Sequence, residues 1–209
     1  MYAEDHNGVL PESEFAAGHT PDTYRPELMM TLHAGKGGLD WEGLGWLYAD
    51  DYLRTPNLFY CPSHRGQHGF DQYEAAWVGS GVRIVGNYHF RAFFGRRYLK
   101  DLDPHMAIIA DGMRTAQDFN HRVGTNVARA DLSVDWVEDH DGMILAALPA
   151  SADPADISQT SDDDAEAVAF AWFVIEGHQP DQFPGLPWRP TGVGNNTPLG
   201  NTELPPRFE

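Results

Sequence analysis

Asn120-His121-Arg122-Val123-Gly124-Thr125-Asn126-Val127-Ala128-Arg129-Ala130-Asp131-Leu132-Ser133-Val134-Asp135-Trp136-Val137 is the stretch that decides the architecture. Val127 and Arg129 alternate with Asn126, Ala128 and Ala130; Val134 and Trp136 alternate with Ser133, Asp135 and Val137. A period of two on both sides of a polar step is the pattern of two strands joined by a turn, so the segment predicts a β-hairpin. A two-residue loop at Asp131-Leu132 would set Val127 opposite Trp136 and Arg129 opposite Val134. Such loops need positive φ, which a branched residue like Leu132 adopts only at a cost. A different turn type or a one-residue bulge is therefore expected. His121 invites a catalytic or metal reading, but it has no adjacent nucleophile, so a ring hydrogen bond to the turn carboxylate or nearby backbone is the expected role.

Outward from the hairpin, Asn7-Gly8 and Pro11 would stop any helix entering from the N-terminus. Residues 12–40 are rich in Gly, Pro and Thr, with a short helix expected around Pro26 to His33. Residues 64–82 read as loop with a strand near Glu74 to Val78. Trp77 and the run Tyr88 to Phe94 are aromatic strand material, expected in a sheet core, with a sugar-binding face as the alternative. Met143 to Leu148 is a short apolar element and Asp153 to Asp164 an acidic loop. Ser161 then caps a helix with Asp162 to Asp164 in its first turn. Ala165, Val168, Ala169, Trp172, Phe173 and Ile175 form its apolar stripe, and Gly177 ends it. The pattern predicts an α+β domain over residues 1–178 and a Pro/Gly-rich tail over 179–209.

The nine residues between His121 and Asp131, flanked by Gly124-x-Asn126-Val127 and Ser133-Val134-x-Trp136, carry a resemblance. They resemble the C-terminal signature of bacterial prepilin-type, pseudopilin-like proteins: His, nine residues, Asp-Gly, with Leu132 here in place of the Gly. His121, Gly124, Asn126, Asp131 and Trp136 are its structural residues. Tyr2 to Pro11 looks like the segment after the long N-terminal helix of these proteins. Leu47 to Leu53 followed by Asn57 to Ser63 is similar to their short helix and aromatic strand ending in Cys-Pro-Ser. Asn87-Tyr88-His89-Phe90 and Ala107 to Gly112 resemble their two central strands.

The resemblance implies a pilin-like α+β fold, with a short N-terminal helix remnant packed on an antiparallel sheet. It implies a structural subunit of a type II secretion pseudopilus or type IV pilus-like filament, acting by assembly and not by catalysis. Its partners would be other pilin-like subunits, met through the N-terminal helix, and the secretion or pilus assembly machinery. The full-length form would be anchored in the inner membrane with its head in the periplasm or cell exterior. The anchoring helix needs about twenty apolar residues, and Met1 sits where it would be ending, so a soluble form without its anchor is expected. Cys61, the single cysteine, would have lost a disulfide partner upstream, or is an ordinary buried thiol.

With 31 acidic and 14 basic residues the net charge is −17. Phosphate backbones and anionic membrane surfaces repel such a chain, so nucleic-acid binding is disfavoured. From Ala130 to Trp188 there are thirteen Asp and Glu and no Lys or Arg. This reads as a solvated acidic surface or as a calcium site, calcium taking six to eight oxygens. The resemblance favours calcium near the C-terminal loops, with Asp139 and Asp141 of Glu138-Asp139-His140-Asp141-Gly142 as ligands. A competing reading is a zinc-dependent hydrolase built on Cys61, His64 and His68, completed by Asp111 or His121. A third is a calcium-dependent module that binds surface glycans through its aromatic residues.

Overall fold

The hairpin forms one side of a four-stranded antiparallel sheet. The computed structural model covers residues 2–16, 24–35, 41–78, 81–92, 98–151 and 161–184. In chain order the elements are α1 (Tyr2–Asp5), β1 (Thr31–His33), α2 (Trp46–Ala49), α3 (Phe70–Tyr73), β2 (Ile84–Val85) and β3 (Tyr88–Phe90). There follow β4 (Ala107–Asp111), β5 (Gly124–Arg129), β6 (Val134–Glu138), α4 (Met143–Ala147) and α5 (Asp162–Ile175). β1 and β2 make a two-stranded sheet, and β3-β4-β5-β6 form the larger one as a meander. Mixed helices and antiparallel sheets make the fold α+β, as expected.

The register differs by one residue from that of a two-residue loop. Asn126 pairs with Trp136, Val127 with Asp135 and Ala128 with Val134. The Leu132 amide donates to the Arg129 carbonyl at 2.9 Å, and the Arg129 amide to the Ser133 carbonyl at 2.9 Å. Ala130, Asp131 and Leu132 are thus a three-residue loop whose last residue takes φ 69°, the type I turn plus left-handed residue that connects many hairpins. Since strand side chains alternate, a one-residue slip exchanges the faces. Trp136 and Val134 therefore share a face with Asn126 and Ala128, and Val127 points the other way with Ala110.

Each face of the sheet meets a different core. On the Val127 face, Ala107, Ala110 and Val127 pack against Ile144 of α4 and Val168, Ala171, Trp172 and Ile175 of α5. On the other, Phe90, with Tyr88 and Ile109 beside it, joins Leu28, Met29, Leu32, Phe59 and Trp77. Burying each of these large side chains contributes roughly 1.5–3 kcal/mol. The second core does not extend to the hairpin end of its face: Val134 is 67 % and Trp136 48 % exposed.

Four expectations need correction. The helix lying on the sheet is the C-terminal α5; the N-terminal α1 has no buried residue and sits beside α2, with Tyr2 stacked on His6 and Tyr52 bonded to Asp5. The strand expected at 57–63 is a 3-10 turn, Pro56–Phe59, because Pro56 starts a turn rather than a ladder. Glu74–Val78 is also 3-10, continuing α3: Phe70, Tyr73 and Ala76–Trp77 reach the core at helical spacing, not at a period of two. Pro26–Leu28 is a 3-10 turn that hands over to β1 rather than a helix reaching His33. Most of the acidic loop (152–160), Phe93, Phe94 and tail residues 185–209 lie outside the described residues. No helix among the described residues is long and apolar enough to cross a membrane.

Candidate functional site at the foot of the hairpin

Three chain segments meet where β5 begins. The first is the Cys61-Pro62-Ser63 turn. Buried Asn87 holds it, accepting from the Cys61 amide at 3.2 Å and donating to the His68 carbonyl at the far end of the same loop. The second is the end of β4, which delivers Asp111, only 2 % exposed. The third is the turn before β5, which delivers His121. Gly66 lets the first loop press against the loop after β4: a Cβ there would stand 1.8 Å from the Gln117 carbonyl oxygen.

Asp111 is fixed from β5. Its Oδ2 accepts from the Asn126 amide at 2.7 Å and from Asn126 Nδ2 at 3.0 Å, and the Asp111 amide donates to Thr125 Oγ1 at 3.1 Å. His121 Nε2 lies 3.5 Å from that same Oδ2, 3.4 Å from Asn126 Nδ2 and 3.9 Å from Cys61 Sγ. Trp136 meets the His121 ring edge to face at 5.4 Å. Gly124 is what lets it lie there, since a Cβ on Gly124 would be 2.6 Å from the Trp136 ring and 2.4 Å from the Val137 carbonyl oxygen. Cys61 is a free, buried thiol whose sulfur also lies 3.1 Å from Ser63 Oγ.

Among the described residues, Cys61, Asp111 and His121 are the donor cluster whose ligand atoms all fall within 4.8 Å of one another. Cys, His and Asp together suggest a nucleophilic triad, but a triad uses the two imidazole nitrogens separately, one on the nucleophile and one on the carboxylate. Here both the thiol and the carboxylate face Nε2. The arrangement converges on a point instead of relaying a proton.

His64 and His68 do not join this cluster. His64 Nδ1 is bonded to Asn120 Oδ1, and His68 Nδ1 to Asp118 Oδ1 at 2.5 Å with both side chains fully buried. Burial lowers the His64 pKa against the opposing bond from Asn120. Burial pushes the Asp118 carboxyl up, but the bond and charge of His68 and the Thr115 hydroxyl outweigh it and hold it below its ordinary value. These histidines tie the 61–68 loop to the 115–120 loop, and the proposed Cys61/His64/His68 ligand set does not form. Asn87, Asp118 and Asn120 hold the site together without any sequence signal: nothing marks a buried polar clamp apart from an ordinary loop residue.

His121 also does not reach Asp131, which stands at the opposite end of β5, roughly 20 Å away at about 3.3 Å per residue. Asp131 instead accepts from the Ser133 amide at 2.9 Å, and that bonding lowers its pKa. Asp139 spends both carboxylate oxygens capping α4, accepting from the Ile144 amide at 2.8 Å and the Leu145 amide at 3.0 Å. Asp141 sits exposed in the kink before α4 with φ 60°. The two belong to no donor cluster among the described residues. The aromatic residues Phe59, Tyr60, Trp77 and Phe90 are buried in the core, which leaves Trp136 as the exposed ring beside the site. No family model, curated protein or solved structure matches the chain.

Proposed function

We propose that this chain is the globular head of a pseudopilin-like subunit, working by assembly into a type II secretion pseudopilus or type IV pilus-like filament. The observation that carries the reading is the placement of the signature hairpin. It forms the rim of an antiparallel platform, and Val123, Leu132, Val134 and Trp136 stand exposed along it. Four large apolar side chains on one hairpin favour contact with protein. The segments that resemble the family also gather: the Cys-Pro-Ser turn, the Asp111 strand, His121 and Asn126 meet at one point. In this reading α5 keeps one face of the sheet, and the bare hairpin end of the other receives the spine helix or a neighbouring head.

The test uses the full-length gene in its own host. The expected result is recovery of the protein in the sheared-filament fraction, with its mature N-terminus cut just ahead of an apolar helix. Trp136→Asp with Val134→Asp should empty that fraction while the melting temperature of the purified head stays within a few degrees. Recovery only as a dispersed monomer with no processed apolar segment would refute the proposal.

A further inference from the structure

We propose that Cys61, Asp111 and His121 form a binding site for one zinc-class divalent metal ion, which staples the Cys-Pro-Ser turn, the end of β4 and the foot of the hairpin to one another. The assembly reading neither requires nor supplies this site.

Separation is the first argument. His121 Nε2 stands 3.9 Å from Cys61 Sγ and 3.5 Å from Asp111 Oδ2; the second gap is long for an N–H···O hydrogen bond, which closes to about 2.9 Å. Tetrahedral zinc with bonds of about 2.0–2.1 Å to N and O and about 2.3 Å to S sets its ligand atoms roughly 3.3–3.6 Å apart. The 3.5 Å gap falls within that range, the 3.9 Å gap a few tenths of an ångström outside it, and all three ligand atoms lie within 4.8 Å of one another, so a small inward shift of the Cys61 sulfur completes the shell.

Donor chemistry is the second. A thiolate, an imidazole and one carboxylate oxygen suit zinc. Calcium, which wants an all-oxygen shell of six or more, is excluded at this point.

Support around the ligands is the third. The Cys61 backbone is held by Asn87, Asp111 by Asn126 and Thr125, and the His121 ring by Trp136. Such outer contacts orient ligands before the metal arrives. Cys61 and Asp111 are buried and His121 is 27 % exposed, so the ion enters past the imidazole and a water completes the fourth position. Binding releases the Cys61 thiol proton to solvent as the sulfur becomes a thiolate ligand.

The probe is Co2+ added to the purified chain, followed by Zn2+ competition. One equivalent of Co2+ should give tetrahedral visible bands and a near-ultraviolet thiolate-to-cobalt charge-transfer band, both removed by Zn2+. Cys61→Ser should abolish the charge-transfer band. Asp111→Asn and His121→Ala should each weaken binding by at least about 100-fold, since even outer-shell changes cost 10–100-fold. Because Cys61→Ser alters a buried turn, the unaltered chain gives a second measurement: one equivalent of Zn2+ should protect Cys61 from alkylation. An octahedral spectrum without the thiolate band, or no protection at saturating Zn2+, overturns the site. Loss of binding in His64→Gln equal to that in His121→Ala also overturns it, in favour of a loop-borne ligand set.

Discussion

Leu132 holds φ 69° at the tip of the hairpin and exposes 60 % of its surface. Its Cβ is strained in this conformation by about 1–2 kcal/mol, and so exposed a side chain recovers little through packing. Leu132→Gly should therefore raise stability to urea by about 1 kcal/mol, less whatever Gly loses to its more flexible unfolded chain. Equal or lower stability in the variant would mean that packing of the Leu132 side chain, together with the freer unfolded chain, outweighs the strain. Gly124 shows the opposite economy of space, lying where the Trp136 ring and the Val137 carbonyl leave no room for a methyl group. His121, Gly124, Asn126 and Trp136 were legible in the sequence as a group, since hairpin spacing is local information. Their convergence on Cys61 was not, because it depends on how two distant loops fold across β4.

The elements that the sequence foretold are those whose signals are complete within a few residues. α5 has its cap and its stop in consecutive order, and Ala165, Val168, Trp172 and Ile175 of its expected stripe are buried, whereas Ala169 and Phe173 are only half-buried and Ala167 and Ala171 enter the core instead. In the structure Ser161 accepts from the Asp164 amide at 3.1 Å while Asp164 accepts from the Ser161 amide at 3.0 Å, and Gly177 takes φ 84°. Ser161→Ala removes half of this reciprocal cap and should cost about 1 kcal/mol, seen as a lower urea midpoint with an unchanged slope. Ser161→Gly should cost only a few tenths. β3 and β4 were equally legible. The 56–59 and 74–78 segments were not: their aromatic content resembles a strand, and only tertiary contact decides that Trp77 enters the core from a 3-10 turn. The partner of the sheet was also hidden, because amphipathicity shows that α5 buries a face but not which surface receives it.

At the scale of the molecule, two buried groups beneath α5 titrate in opposite senses. Burial lowers the His89 pKa to about 4, and its Nε2 donates to the Pro26 carbonyl at 2.6 Å. Burial raises the neighbouring Glu27 to about 7, against the lowering pull of its own backbone amide and of Arg25. As pH falls from 6.5 to 4, unfolded His89 takes a proton that the folded chain refuses, so acid destabilises the fold. As pH rises from 4.5 to 7, unfolded Glu27 releases a proton that the folded chain keeps, so base destabilises it. Each effect amounts to about 3 kcal/mol, and over the shared window they offset one another. His64, also lowered by burial, adds to the climb in both chains, so from pH 4.5 to 6.5 urea stability should rise more steeply in Glu27→Gln than in the parent, the difference reaching about 2–3 kcal/mol. Parallel profiles for the two chains would show that Glu27 is ionised in the fold.

β6 closes the large sheet, and among the described residues only β5 pairs with it. Its outer backbone amides and carbonyls are therefore a ready template for strand addition, the route by which β-proteins stack into insoluble fibres. Asp135 on this strand is already paired with Arg129 at 2.7 Å, which leaves Glu138 as the carboxylate that a second copy approaching edge to edge would meet with its own. That charge discourages runaway self-stacking along the strand's edge, while the sheet face beside it, with Val134 and Trp136 exposed, stays free to be covered.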